Sequence, residues 1–323
     1  MVDYAYAGDL QGNLWRFDLI ETGAAEGVAG DPFARTSVTT INSDFKIAYG
    51  GNPLFTARDA DTLTAKRQAI TIQPSLVRHP SGYGYLVLLG TGKYFENSDA
   101  NVNNSRAMTL YGVWDRKTKR QATTTSTARA TDRTNLGAQQ FTSQINSALI
   151  GDEDQSAVND IKLLSQNQIE WYNDGATDLV ADTSVKRWGW KLNLAVSNNL
   201  TGEMIVNNMA ARGQTLFVTS LTPNQDPCKA GAETWLYAIS AYTGGRTKYN
   251  VLDLNNDKIV NSKDTYNKTD VVSGVRFPAI GGFTLAPGNK VYGSDGANDP
   301  GTVGDDPNTT GRQSWHIVPE EYQ

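Results

Sequence analysis

The sequence predicts an all-β protein, built as a β-propeller or a partial propeller arc with irregular blades, long loops and a short inserted helix. Thirty glycines, fourteen tyrosines and seven tryptophans accompany short apolar runs bounded by Gly, Asn and Asp, the composition of strands and turns. An apolar content of 39% over 323 residues suffices for a large core. We expect residues 1–323 to form a single propeller-like domain. Because a strand pattern follows Met1 at once, we also expect a fragment of a longer protein.

A recurring two-strand unit is the observation behind the propeller. In each copy an apolar strand ends near Gly or Ser, and a second strand carries aromatic residues. Four such copies at uneven spacing favour blades, which pack only on their neighbours and tolerate unequal loops. A β-sandwich with irregular hairpins is the alternative. The copies are residues 4–19, 85–94 with 109–115, 215–221 with 234–240, and 290–295 with 314–318.

One stretch interrupts the β pattern, and we expect residues 117–150 to form a surface insertion. Residues 117–137 contain almost no large apolar side chain, which predicts an exposed loop. Residues 135–150 carry apolar side chains at helical spacing, which predicts a short surface helix capped by Asp132 or Asn135. A loop with scattered apolar anchors is the alternative. The apolar positions are Leu136, Phe141, Ile145 and Leu149.

Charge and cysteine content exclude several classes of function. A net charge of −5 gives no electrostatic footprint for nucleic acid or anionic lipid. Cys228 is the only cysteine, which excludes a disulfide framework and a cysteine-based metal site.

The residues needed for catalysis are also missing, so we expect a protein that is not an enzyme. His79 and His316 are the only histidines, which makes a zinc site improbable, and His79 is expected in a turn. Residues 90–93 differ from a phosphate loop, since Val87 holds the first glycine position. A propeller enzyme related to the quinone-dependent dehydrogenases is the alternative, with Trp188 and Trp190 stacked on the cofactor. Alternation on one strand face explains this tryptophan pair more simply.

Residues 253–264 predict a calcium loop between two blades. Calcium takes oxygen ligands from positions 1, 3, 5, 7, 9 and 12 of a twelve-residue loop, position 7 giving a backbone carbonyl. Lys258 departs from this pattern, because glycine usually makes the sharp turn at position 6, and an aspartate replaces the usual final glutamate. We expect Ile259 and Val260 to pack inward. The alternative is a solvated Asn/Asp turn. The predicted ligands are Asp253, Asn255, Asp257, Ile259, Asn261 and Asp264.

We do not expect a complete EF-hand around this loop. Residues 246–251 are predicted to form a strand, because they show no helical period. The loop resembles those of dockerins, which also end in aspartate, but dockerins need two copies. Calcium loops of moderate affinity suit extracellular or periplasmic conditions, where calcium is plentiful.

The first repeat resembles the C-terminal β-propeller domain of the PilY1/PilC family of type IV pilus proteins. The resemblance extends over essentially the whole chain. It is carried by residues 3–18, 76–80, 90–95, 105–112, 164–167, 221–224, 242–246 and 312–315.

The resemblance implies a calcium-modulated pilus biogenesis factor that also acts as an adhesin and opposes pilus retraction. It implies minor pilins and the pilus assembly machinery as partners, with a host cell surface ligand. It places the protein at the bacterial cell surface, the pilus tip, the outer membrane or the periplasm. The family's regulatory calcium loop precedes the first strand, so Asp3 would be the remnant of that upstream loop. Residues 253–264 lie at a separate position.

Overall fold

Strands account for nearly all the regular structure in the described part of this chain. The computed structural model describes residues 4–19, 46–82, 84–100, 106–116, 132–150, 157–171, 187–197, 199–224, 231–278, 281–293 and 301–304. Within these ranges the strands are β1 (Tyr4–Gly8), β2 (Asn13–Asp18), β3 (Lys46–Ile47), β4 (Phe55–Thr56), β5 (Ser75–Arg78), β6 (Tyr85–Gly90), β7 (Thr109–Asp115), β8 (Gly137–Ile150), β9 (Ala157–Leu164), β10 (Gly189–Val196), β11 (Ala210–Arg212), β12 (Thr215–Pro223), β13 (Ala232–Ser240), β14 (Thr265–Tyr266), β15 (Asp270–Val271), β16 (Gly274–Phe277), β17 (Phe283–Ala286), β18 (Lys290–Gly293) and β19 (Gly301–Thr302).

Helical structure in the same ranges is limited to short segments. They are α1 (Ala48–Gly51) and two 3₁₀ turns, Asn97–Ala100 and Arg133–Asn135. None of the helices in the described part of the chain has the length and apolar character needed to cross a membrane.

The strands form one large sheet and three small ones. The large sheet has ten strands in the order β11-β12-β13-β16-β9-β8-β10-β7-β6-β5. Its two outermost strands, β11 and β5, contact each other, so the sheet curves almost into a closed barrel. The small sheets combine β1 to β4, β14 with β15, and β17 to β19. The predicted all-β class is confirmed.

Three of the four predicted repeats are antiparallel hairpins. β1 pairs with β2, β6 with β7, and β12 with β13. The apolar runs of β6, β7, β12 and β13 are buried on both faces, as their central places in the large sheet require. In the fourth copy, β18 pairs with β17 and β19. The second half of that copy, residues 314–318, lies outside the described residues.

The predicted helix at residues 135–150 is wrong, because residues 137–150 form β8, a strand of fourteen residues in the interior of the large sheet. It pairs with β9 on one side and β10 on the other. Register shifts in the β8–β9 pairing and a left-handed Ser147 (φ 53°) interrupt the alternation that identifies a strand.

Residues 137–150 are therefore not part of a surface insertion, and residues 117–131 lie outside the described ranges. The predicted cap at Asp132 is real but serves a shorter element. Its carboxylate accepts a hydrogen bond from the Thr134 amide at the start of the Arg133–Asn135 turn.

The core of the large sheet is organised around Trp190 of β10, which is completely buried. Its indole Nε1 donates to the Ala241 carbonyl oxygen at 3.0 Å. Gly112 of β7 is its partner in register, and a Cβ added there would lie 2.4 Å from the indole. A Cβ on Gly244 would lie 2.2 Å from the ring. The indole thus occupies space that only two glycines leave open.

We expect Gly112→Ala to destabilise the protein by about 1–3 kcal/mol, because the new methyl group overlaps the Trp190 ring in a packed core. Gly231→Ala is the matched control, since a Cβ at Gly231 meets no atom within 4 Å. Urea unfolding measures both variants. A Gly112→Ala midpoint equal to that of Gly231→Ala would show that the glycine does not make room for the indole.

Candidate metal centre

The predicted calcium loop connects β13 to β14 and is anchored to the small sheet that ends in β19. Leu252 forms a β-bridge with Val303. The Asp253 amide donates to the Thr302 carbonyl oxygen at 3.2 Å, and the Gly304 amide donates to that of Val251 at 2.6 Å. One strand edge therefore fixes the start of the loop.

The elements flanking the loop are not those of an EF-hand, as predicted. The described residues on its two sides form no helix, and the two-residue strand β14 follows it directly. The predicted strand at residues 246–251 is wrong, because this segment belongs to no named strand and makes only an isolated bridge from Arg246 to Ile239.

Asp264, at loop position 12, joins the two ends of the loop. Its Oδ1 accepts hydrogen bonds from the amides of Leu254 at 2.8 Å and Asn255 at 3.3 Å. Its Oδ2 accepts from the Asn261 amide at 2.8 Å. Only 1% of Asp264 is exposed. The Asp264 carboxylate thus holds the backbone of loop positions 2, 3 and 9 close together through hydrogen bonds.

At three of the remaining polar positions, the side-chain oxygen accepts a hydrogen bond from the backbone amide two residues later. Asn255 Oδ1 accepts from the Asp257 amide at 3.0 Å, and Asp257 Oδ1 accepts from the Ile259 amide at 2.8 Å. Asn261 Oδ1 accepts from the Lys263 amide at 2.7 Å. Each oxygen keeps lone-pair capacity for a second partner. The solvated-turn alternative shares these bonds, so they do not separate the two interpretations.

Lys258, at position 6, takes the backbone conformation that glycine usually supplies. Its φ is 71°, and Asn256 two residues earlier has a φ of 64°. The Lys258 amide donates to Asp253 Oδ2 at 3.0 Å. The loop therefore makes its sharp turn without the glycine, although a side chain strains this conformation.

The expected inward packing is correct for Val260 and wrong for Ile259. Val260 is partly buried against Gly304, whereas 62% of Ile259 is exposed. Ile259 can therefore contribute only its backbone carbonyl to an ion, which is the role predicted for position 7.

Asp253 provides the observation that tests whether these residues fit a cation. Its Oδ1 is buried and has no hydrogen-bond partner. Burial raises the pKa of Asp253, and it also raises that of Asp264. A buried carboxylate oxygen without a partner is costly, and a cation would remove that cost. The donors in the loop are all oxygens, so they fit a hard cation such as calcium.

The loop does not gather three acidic side chains at one point. Within the described ranges, no group of three His, Cys, Asp or Glu side chains is arranged to hold a metal ion. Two of the predicted ligands are asparagines and one is a carbonyl, and Asp264 uses both oxygens on backbone amides. Asp3, the predicted remnant of an upstream loop, lies outside the described residues.

The residues considered for catalysis are part of the core. Trp188 is 4% exposed and Trp190 is 0% exposed, so neither offers a face to a quinone. His79 lies in the predicted turn, where its carbonyl accepts from the Gly82 amide at 2.9 Å. It stacks on Trp114 at 3.8 Å, and burial lowers its pKa to about 3. His79 is therefore neutral at physiological pH.

Asn250 is a residue that the sequence did not single out. Its Nδ2 donates to the Asn261 carbonyl oxygen at 2.6 Å, and its Oδ1 is buried without a partner. No local motif marks Asn250, because it reaches the loop only through the fold.

Comparison with known proteins gives the same assignment at three levels. The family model "PilY1 beta-propeller domain" matches residues 1–153. "Type IV pilus biogenesis factor PilY1" of Pseudomonas aeruginosa strain UCBPP-PA14 is 44% identical over 99% of this chain and 27% of that protein. A homolog from Xylella fastidiosa is 27% identical over 76% of this chain and 13% of that protein.

A solved structure agrees with the sequence matches. The crystal structure of the P. aeruginosa PilY1 C-terminal domain superimposes with a TM-score of 0.76 at 41% identity, covering 94% of this chain and 58% of that one. The present chain spans about a quarter of the length of its P. aeruginosa relatives. It belongs to the PilY1 family and corresponds to the C-terminal β-propeller domain of that family.

Proposed function

We propose that this chain is a non-enzymatic, calcium-modulated part of a type IV pilus biogenesis factor that also acts as an adhesin at the pilus tip or cell surface. The names of its relatives support the pilus assignment. The observation that carries the calcium proposal is the buried, unpartnered Oδ1 of Asp253 within a loop of oxygen donors.

The proposed partners are minor pilins and the pilus assembly machinery, together with a ligand on the host cell surface. The proposed location is the bacterial cell surface, the pilus tip, the outer membrane or the periplasm. These assignments are supported by the similarity to proteins named for pilus biogenesis. Calcium abundant outside the cell would keep a loop of moderate affinity occupied.

Calcium would act by offsetting charge that the fold buries. Asp253 and Asp264 are partly or fully buried, and their positive partners in the loop are backbone amides. When bound, the ion supplies the missing positive charge and holds positions 1 to 9 together. Because residues 251–253 are hydrogen-bonded to residues 302–304, the loop and the small sheet would be stabilised together.

Calcium at a hundredfold excess over its dissociation constant should raise the free energy of unfolding by about 2.7 kcal/mol, which is roughly 5 °C in Tm. The double substitution Asp253→Asn and Asp257→Asn should remove this rise, because it removes two charged ligands. Asp270→Asn, on an exposed residue of β15, is the control and should keep it. The measurement is thermal unfolding in calcium and in chelator. A calcium-induced rise in the double variant equal to that of the unsubstituted chain would refute the site.

The calcium effect should shrink as the pH falls. The folded-state pKa of Asp253 and of Asp264 is raised, so the calcium-free protein gains stability below those pKa values and loses it as pH rises through them. Calcium needs the charged carboxylates. The rise in Tm that calcium causes should therefore be complete at neutral pH. As the pH is lowered, this rise should begin to shrink before the pH reaches the ordinary aspartate pKa of about 4. A calcium effect independent of pH down to about 4 would contradict this prediction.

In the bacterium that makes this protein, calcium should affect piliation through the same loop. We expect chelation to reduce the number of surface pili when the full-length protein is unchanged. With Asp253→Asn and Asp257→Asn, the count should already be low and should not respond to chelation. Electron microscopy of surface pili, with Asp270→Asn as control, measures this. An equal response to chelation in both strains would show that the loop does not modulate assembly.

A further inference from the structure

A pocket of about 560 Å³ lies beside the calcium loop. It is lined by the loop segment from Lys258 to Ser262, by Tyr249 and Asn250, and by Gly288, Asn289 and residues 302–304. We propose that this pocket binds a neutral sugar unit of a glycan, and that calcium in the loop strengthens this binding. The inference rests on the proposed function, since it names the class of ligand that an adhesin of this kind would take.

The pocket brings together polar side-chain groups that the protein leaves without partners. Asn250 Oδ1 has no hydrogen-bond partner. Three further side-chain groups form no hydrogen bond among the described residues, namely Asn261 Nδ2, Ser262 Oγ and the side-chain amide of Asn289. All four residues line the pocket. They come from three separate stretches of the chain. The side chains of Asn261, Ser262 and Asn289 are at least partly exposed, so they offer both donors and acceptors in one cavity within the size range of ligand pockets.

This set of groups fits sugar hydroxyls. A hydroxyl group both donates and accepts hydrogen bonds, so neighbouring hydroxyls can match amide and hydroxyl side chains of mixed character. Val260, which is partly exposed, offers apolar surface for the C–H face of a ring. Lys258 is the one charged residue among those lining the pocket, and it already has an interaction partner. The pocket therefore favours a neutral ligand.

A peptide strand fits the pocket less well. Peptides that add to a sheet edge need free backbone amides and carbonyls. Along the strand edge at residues 302–304, three such bonds are already formed, from the Asp253 amide to Thr302, from the Gly304 amide to Val251 and from the Val303 amide to Asn289. Asn261 Nδ2, Ser262 Oγ and the side-chain amide of Asn289, in contrast, form no hydrogen bond among the residues that the structure describes.

Residues 258–262 belong to the calcium loop and also line the pocket. These shared residues would couple calcium binding to sugar binding. Asn261 is a predicted calcium ligand through its Oδ1, and its carbonyl oxygen accepts the Asn250 Nδ2 hydrogen bond at 2.6 Å. An ion that fixes Ile259 and Asn261 would also fix the amide groups that face the ligand. Calcium would thus lower the cost of ordering the pocket when the sugar binds.

Saturation-transfer NMR with a panel of neutral methyl glycosides tests the proposal on the intact 323-residue chain. We expect at least one glycoside to bind in calcium, and to bind about tenfold more weakly to the double variant Asn289→Gly and Ser262→Ala, because two hydrogen bonds are lost. Asn289 has a φ of 61°, which glycine tolerates, so the variant keeps the backbone. Asn267→Gly is the matched control, since Asn267 has a φ of 49° in a turn outside the pocket. It should bind as the unsubstituted chain does.

Three results would overturn the proposal. They are the absence of glycoside binding in calcium, binding that survives the double variant, and binding of the uncharged peptide N-acetyl-trialanine methylamide in place of the glycosides. Glycoside affinity that is equal in calcium and in chelator would remove the coupling to the loop.

Calorimetric titration of calcium into the same samples separates this proposal from the one on which it rests. The double variant should bind calcium with unchanged affinity. Calcium binding without glycoside binding would reject the pocket alone. Glycoside binding without calcium binding would reject the calcium-modulated function and leave the pocket as an independent site.

Discussion

The carboxylate of Asp264 holds the candidate site together. Its two oxygens accept amide hydrogen bonds from loop positions 2, 3 and 9, and the loop cannot open without breaking them. Because Asp264 is almost fully buried, these bonds are protected from water and are correspondingly strong. The turn at Lys258, the orientation of Asp253 and the wall of the neighbouring pocket all depend on this closure.

The buried carboxylate oxygens of the loop have different partners from those of Asp115 and Glu203 in the core. In the core, Arg16 is paired with Asp115 at 3.0 Å, and Lys162 with Glu203 at 2.7 Å. Each of these carboxylates faces a cationic side chain, as buried charges require. Asp253 instead has an oxygen that is buried without a partner. Among the residues that the structure describes, Asp253 is the one carboxylate with a buried oxygen that lacks a hydrogen-bond partner, which is consistent with a site for a cation.

The sequence allowed the loop and the hairpins to be predicted because both are local. Ligand spacing is fixed by the order of residues, and hairpins such as β1 with β2 join strands that are neighbours along the chain. β8 could not be predicted, since β9 and β10 impose its conformation and its bulges hide the alternation. The contact of Gly244 with Trp190 and the position of Asn250 beside the loop join distant residues. No spacing along the chain reveals either one.

The most direct test is a crystal structure of this chain grown with calcium. We expect one ion in the loop, about 2.3–2.6 Å from the six predicted ligands, which are the side-chain oxygens of Asp253, Asn255, Asp257, Asn261 and Asp264 and the Ile259 carbonyl. Asp253 Oδ1 would then have the ion as its partner. A well-ordered loop without an ion at saturating calcium, with Asp253 Oδ1 still unpartnered, would refute the calcium assignment.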